Sequence, residues 1–203
     1  MGSKSAIVLA GGRSRRFGRD KASADLLGLP LLQRVLDRLA GLVDDCVLVV
    51  RAEQQLPALR ASRFRVAEDL FPNAGPLGGL YTGLKVVAAD HALTVACDMP
   101  FLEPGLLAEL VRLGEHYAAV IPVYDGLPQP LCASYSKACL PVLLRYLEAG
   151  VYQLRDAVDA LSPCYLEPEV WRRLDPDALS FLNINRQEDL EHAVSLLSPA
   201  GGR

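Results

Sequence analysis

Short apolar runs alternate with stretches of helical period along most of this chain, and few folds accommodate that rhythm. Residues 5–10 (SAIVLA) form a compact apolar run stopped by Gly11-Gly12, the pattern of a buried strand. Over residues 30–43, Leu31, Leu32, Val35, Leu36, Leu39 and Leu42 recur at three- and four-residue steps, which predicts an amphipathic helix with proline in its first turn. Further strands are expected over 46–50, more weakly over 64–67, and then over 92–97 and 118–123. Helices are expected over 80–89 and 104–116. A repeated strand–helix order lays parallel strands side by side with helices on both faces. The expected fold class is therefore α/β, a single three-layer αβα domain around a mostly parallel sheet.

After about Tyr124 the rhythm changes. Asp125-Gly126, Pro128 and Pro130 bracket a turn before a strand over 131–135, followed by helices over 137–149 and 153–160. The segment 162–177 has no clear period. A short strand over 181–184 and a helix over 187–197 follow, and the Pro/Gly-rich tail 198–203 is expected to be mobile. No repeat or linker divides the chain. With 51% hydrophobic residues in 203, a sizeable core is available, and a net charge of −3 leaves no broad basic surface for nucleic acid or an anionic membrane. The apolar runs fall short of the ~20 residues of a membrane span, and nothing at the start has the form of a signal peptide. A cytoplasmic, soluble protein is expected. The five cysteines are odd in number and never spaced C-x-x-C, against a disulfide framework or a zinc site. The three histidines lie far apart and rank low as ligands or bases.

Residues 9–21, LAGGRSRRFGRDK, carry most of the functional information. They follow the first strand, and ligands of open α/β sheets bind at the carboxyl ends of the strands. Gly11 and Gly12 permit close backbone approach, while Arg13, Arg15, Arg16, Arg19 and Lys21 concentrate positive charge in an otherwise acidic chain. Such a loop suits a triphosphate, though it is neither a P-loop nor a G-x-G-x-x-G turn; the plainer reading is a charged surface loop. Asp98 ends the apolar run LTVAC and is followed by Met99-Pro100. A carboxylate there either holds Mg²⁺, which takes oxygen ligands, or caps the helix beginning near Pro104. Glu68-Asp69 precedes a Gly/Pro segment, 73–79, that includes Gly78; it suits a nucleotide base or is an ordinary connection with solvated acids. Asn183 and Asn185 face the same side of an extended segment, where they orient a polar ligand unless Asn185 caps the last helix.

Together these motifs resemble the molybdenum cofactor guanylyltransferases, nucleotidyltransferases of GT-A-like architecture similar to the nucleotide-diphospho-sugar transferases. The match to L-A-G-G-x-S-x-R-[MF]-G-x-D-K is followed, in the family's order, by Glu68-Asp69, Gly75-Pro76-Leu77-Gly78-Gly79, Asp98-Met99-Pro100-Phe101, Gln129-Pro130-Leu131-Cys132 and Phe181-Leu182-Asn183-Ile184-Asn185. Phe17 stands where the family usually has Met. The relatives that transfer CMP usually read L-A-A-G and lack the Asp before the Lys, so Gly11-Gly12 and Asp20-Lys21 are similar to the guanine-specific branch.

The resemblance implies transfer of GMP from GTP to the terminal phosphate of molybdenum-loaded molybdopterin, giving molybdopterin guanine dinucleotide and pyrophosphate with Mg²⁺ as cofactor. It implies a nucleotide half over 5–123 and an acceptor half over 124–197. Nucleotide contacts fall to Leu9, Ala10, Gly11, Gly12, Lys21, Asp69, Gly78 and Asp98. Arg16 and Lys21 balance the phosphates, Asp98 holds the metal, Asp20 orients Lys21 or Arg16, and Gln129, Asn183 and Asn185 face the acceptor. Transient contacts with molybdenum-insertion and accessory cofactor-biosynthesis proteins are implied as well. Two rivals stay open: a transferase of the same fold using CTP or a sugar-1-phosphate, and a nucleotide-binding regulator that turns nothing over.

Overall fold

The computed structural model describes residues 3–11, 21–60 and 64–198. The strand β1 (Ser5–Leu9) lies near the middle of the main sheet. It is followed by a 3₁₀ turn (Lys21–Ser23), the small hairpin β2 (Asp25–Leu26) and β3 (Leu29–Pro30), and helix α1 (Leu31–Leu39). Then come β4 (Asp45–Val50), β5 (Arg65–Glu68), α2 (Gly75–Val86), β6 (His91–Ala96), α3 (Pro104–Gly114) and β7 (Ala119–Tyr124). The remainder comprises β8 (Leu127–Pro128), β9 (Cys132–Ser136), α4 (Leu140–Glu148), α5 (Leu154–Asp159), β10 (Cys164–Leu166), α6 (Pro168–Trp171) and α7 (Gln187–Leu197).

The main sheet runs β10-β7-β9-β6-β1-β4-β5, with β8 paired to β7. β1 pairs in parallel with β4 and β6, and β4 with β5, as the strand–helix alternation predicts. β9 is the exception: it inserts between β6 and β7 and runs antiparallel to both. The change of rhythm after Tyr124 is its origin, since a tight turn returns the chain where a helix would otherwise cross over. Ile7 and Val8 are both fully buried because helices cover both faces. One core layer joins the sheet to α1, α3 and α6, and the other joins it to α2, α4 and α5.

Helix α2 starts at Gly75, five residues before the start expected at Leu80. Pro76 lies in its first turn, and the glycines that read as a loop are packing residues inside the helix. A Cβ on Gly79 would sit 3.0 Å from Leu9 Cδ2, and one on Gly83 would sit 2.5 Å from Ile7 Cγ2. The helix axis is thus drawn down onto β1. The region over 162–177, without a readable period, forms β10 and α6, and the expected strand over 181–184 is a 3₁₀ turn (Leu179–Phe181) followed by extended chain. A third cluster (Ala24, Leu26, Leu31, Phe101, Ile184 and Ala193) ties the β2–β3 hairpin to α7.

Candidate functional site at the carboxyl edge of the sheet

Parallel pairing brings the exits of β1, β4, β5 and β6 to one edge, and backbone hydrogen bonds continue across it beyond the strands. Cys97 N–H donates to Leu9 O at 3.1 Å, Ala10 N–H to Val49 O at 2.9 Å and Asp69 N–H to Val50 O at 2.8 Å. Ile184 N–H donates to Asp98 O at 2.9 Å, so the segment holding Asn183 and Asn185 is seated on the residue after Cys97. Residues distant in sequence therefore meet: Leu9, Ala10 and Gly11 at the β1 exit, Asp69 beyond β5, Asp98 beyond β6, and the two asparagines.

Asp98 is 9% exposed and stands at this edge. α3 begins at Pro104 with Glu103 as its capping position, so the reading of Asp98 as that helix's cap does not hold. Gly12, Arg13, Arg15, Arg16, Arg19 and Asp20 lie outside the described residues. The chain re-enters at Lys21, and Ala22 is buried in the same core layer as Ala10 and Met99.

Asp69 is held by its surroundings. Its Oδ1 accepts from Phe71 N–H at 3.0 Å and from the Thr82 hydroxyl at 3.1 Å. Burial pushes its carboxyl above the ordinary value, and these two hydrogen bonds oppose the rise. A Cβ on Gly78 would lie 2.9 Å from Phe71 O and 3.1 Å from Asp69 Oδ1. Gly78 is therefore glycine for a local reason: the Asp69–Phe71 turn rests on it. Glu68 points to solvent.

On the other flank, Gln129 N–H donates to Pro122 O at 2.9 Å, its side-chain amide to Leu127 O at 3.1 Å, and Ala96 N–H to Leu131 O at 3.2 Å. The Gln129–Leu131 strip therefore adjoins the β6 exit. Asn183 is half-buried and its amide donates to Phe181 O at 3.2 Å; Asn185 is exposed. Asn185 is not the cap of α7. Arg186 takes that position, and Asp189 Oδ2 accepts from the N–H groups of Asn185 and Arg186 at 2.7 and 2.8 Å.

Two residues escaped the sequence reading. Gln54 donates from Nε2 to Ala10 O at 2.9 Å and accepts from Arg51 N–H at 3.0 Å, tying the turn after β4 to the β1 exit. Arg51 lines Gly11, where a Cβ would touch its Cγ at 3.4 Å. The only signal in the sequence was their place just past a buried strand. The buried thiols take no part: burial pushes Cys46 and Cys132 up to about 12 and Cys139 to about 11. Among the described residues no group of three His, Cys, Asp or Glu side chains is placed to hold a metal ion, and no helix is long and apolar enough to cross a membrane.

The fold has counterparts among known proteins. The family described as MobA-like NTP transferase domain matches residues 6–164. A probable molybdenum cofactor guanylyltransferase of Chloroflexus aggregans is 39% identical over 92% of this chain and 91% of its own. The molybdenum cofactor guanylyltransferase of Desulfosudis oleivorans is 35% identical over 94% of each. Among solved structures, the molybdopterin-guanine dinucleotide biosynthesis protein A of Archaeoglobus fulgidus superposes with a TM-score of 0.83 at 30% identity, covering 95% of this chain and 97% of that one. The 2-C-methyl-D-erythritol 4-phosphate cytidylyltransferase of Thermus thermophilus shares the fold, with a TM-score of 0.73 at 17% identity over 95% of this chain and 98% of its own.

Proposed function

The chain belongs to the MobA-like NTP transferases and is a nucleotidyltransferase, and on that premise we propose that it transfers GMP from GTP to the terminal phosphate of molybdenum-loaded molybdopterin in the cytoplasm. An oxygen of the acceptor phosphate attacks the α-phosphorus of GTP, the bond from that phosphorus to the β-phosphate oxygen breaks, and pyrophosphate leaves. The product is molybdopterin guanine dinucleotide. The acceptor is already an anion, so no activated protein nucleophile is required, and the protein's work is to position the reactants and balance their charge.

The observation that carries this reading is the bond from Cys97 to Leu9, which sets a buried strand-end carboxylate, Asp98, beside the start of the Gly-Gly-Arg loop. In this reading the backbone of Leu9, Ala10, Gly11 and Gly12 contacts the guanosine. Asp69, fixed by Phe71, Thr82 and the absence of a side chain at Gly78, accepts from it. Arg16 and Lys21 balance the phosphates, with Asp20 orienting one of them, and Gln129, Asn183 and Asn185 face the acceptor. A strand-end carboxylate such as Asp98 suits Mg²⁺, which is commonly held by one or two carboxylates with substrate phosphates and waters filling its shell. Bound at Asp98, the ion would neutralise charge on the phosphate oxygens.

The test is pyrophosphate release in Mg²⁺ buffer with GTP, CTP, ATP and UTP in turn, each with and without molybdopterin loaded with molybdate. Release with GTP alone, dependent on the acceptor, is expected. Release with CTP would keep the chemistry and overturn the guanine assignment. Nucleotide binding without release under any condition would favour a regulator.

A further inference from the structure

We infer that Tyr124 is the surface on which the pterin ring of the acceptor stacks, an assignment that rests on the guanylyltransferase reading. Tyr124 ends β7, and its ring lies over that of Phe181, with centroids 5.2 Å apart and planes inclined by 24°. Trp171 meets both rings edge-on, at 6.0 Å from Tyr124 and 4.9 Å from Phe181. The lower two members of the group belong to the core: Trp171 is fully buried, donates from Nε1 to Val123 O at 2.9 Å, and Phe181 is 5% exposed. Tyr124 is 37% exposed and is the member that reaches the surface.

The support beneath is stiff. Asp175, only 3% exposed, accepts from Leu179 N–H at 3.0 Å and Ser180 N–H at 2.8 Å. The Ser180 hydroxyl accepts from Glu103 N–H at 2.8 Å. These bonds fix the turn that carries Phe181 and hence the plane against which Tyr124 rests. A ring held in one plane stacks a ligand at little cost in side-chain entropy.

Position relates this ring to the acceptor. Leu93, Ser134 and Val120 lie in one row across β6, β9 and β7. β6 and β7 run in the same direction on either side of β9, so Tyr124, which ends β7 paired with Leu127 of β8, and Asp98, just past β6, lie at the carboxyl ends of strands two spacings apart, or about 10 Å across the sheet. The chain gives a second route of similar length. Phe181 is three residues before Ile184, at most about 10 Å when extended, and Ile184 N–H is bonded to Asp98 O. Gln129 occupies the strip between. A phosphate monoester joined through one methylene to a fused, pterin-containing ring system has its charged end and its flat end separated on this scale. With its phosphate near Asp98, its rings reach Tyr124, where a flat heteroaromatic system stacks favourably on a phenol ring.

Tyr124→Phe and Tyr124→Leu test the assignment, because both keep an apolar cover over Phe181 and Trp171 while only the first keeps a ring. The Leu variant is expected to raise the KM for molybdopterin about 10-fold or more, with the KM for GTP unchanged and the Phe variant near wild type. Binding has its own readout. Trp171 is the single tryptophan and lies 6.0 Å from Tyr124, so molybdopterin stacked there quenches its emission by energy transfer. The midpoint of that titration should shift in the Leu variant and not in the Phe variant. An unchanged KM for molybdopterin in Tyr124→Leu overturns the assignment. So does emission from Trp171 that saturating molybdopterin leaves unmoved in an enzyme that turns over. A wild-type enzyme that neither binds nor uses molybdopterin overturns the functional reading itself, and this inference with it.

Discussion

A helix interior normally gains stability when Gly becomes Ala, by about 0.8–1 kcal/mol, and Gly83 in α2 should show the opposite. A Cβ there would lie 2.5, 2.8 and 2.9 Å from Ile7 Cγ2, Cδ1 and Cγ1, against about 3.5–4.0 Å for an unstrained carbon pair. Ile7 has no room to yield: it is fully buried in β1 and paired on both sides, with Val47 and Thr94 as its row partners. Relief requires the helix to move outward by roughly 1 Å, and overpacking of this kind costs about 1–3 kcal/mol. Set against the propensity gain, the clash leaves Gly83→Ala less stable by up to about 2 kcal/mol net. For a chain of this length that corresponds to a fall in Tm of up to very roughly 8 °C. The same displacement draws Thr82 away from Asp69, so GTP affinity should weaken as well. Urea denaturation gives the midpoint and slope, and the double variant with Ile7→Ala supplies the control. Truncating Ile7 vacates the space the new methyl needs, so the pair should be destabilised by at least about 1 kcal/mol less than the sum of the singles. A Gly83→Ala protein more stable than wild type, or strict additivity with Ile7→Ala, would refute the packing argument.

Other predictions concern charge. Asp45 receives Arg65 Nε at 3.0 Å and Nη2 at 2.8 Å, and Ala88 N–H at 2.9 Å; hydrogen bonds from Arg65 hold its carboxyl below the ordinary value against the effect of burial. Because the folded value is the lower one, the stabilisation is present above the unfolded pKa of about 3.9 and is lost as pH falls through the folded value. The Arg65 side chain is 51% exposed, so the ion pair itself contributes no more than about 1 kcal/mol. Wild type should exceed Asp45→Asn in urea stability at pH 7, and the gap should narrow as pH falls below about 4; a gap that does not change with pH would contradict this. Lys21→Ala should slow turnover by about 10²–10³, the range for one positioned electrostatic contact, and near wild-type turnover would remove Lys21 from the site. Asp98→Asn should abolish Mg²⁺-dependent turnover with an unchanged circular dichroism spectrum, and activity retained at any Mg²⁺ concentration would count against the metal role.

The parallel half of the sheet was legible because β1, β4 and β6 are mostly apolar runs, as expected of strands covered on both faces. Helix α1 was legible from its leucine period, although it ends at Leu39 where the pattern continued to Val43. The start of α2 was not, because glycine reads locally as a breaker while Gly78, Gly79 and Gly83 serve contacts with Phe71, Leu9 and Ile7 that only the tertiary structure creates. Nothing local in Leu131–Tyr135 marks the direction of β9, which depends on which neighbours it pairs with. At the site, Asp98 stood out as an acid ending an apolar run, and Asp69 as one of two acids before a Gly/Pro segment. Gln54 did not, since its value lies in two backbone partners, Ala10 and Arg51, one of them distant in sequence. Tyr124 likewise acquires meaning only from Phe181, which the chain reaches after β9, α4, α5, β10 and α6.

The central claim is that this sheet edge joins the α-phosphorus of GTP to the acceptor phosphate, and the most direct measurement follows that atom. GTP labelled with ³²P at the α position is incubated with Mg²⁺, molybdate-loaded molybdopterin and either wild type or Asp98→Asn. The account predicts label in a dinucleotide that also contains the pterin, formed with wild type and absent with the variant. Label remaining in GTP, or appearing only as GMP whether or not acceptor is present, would contradict it.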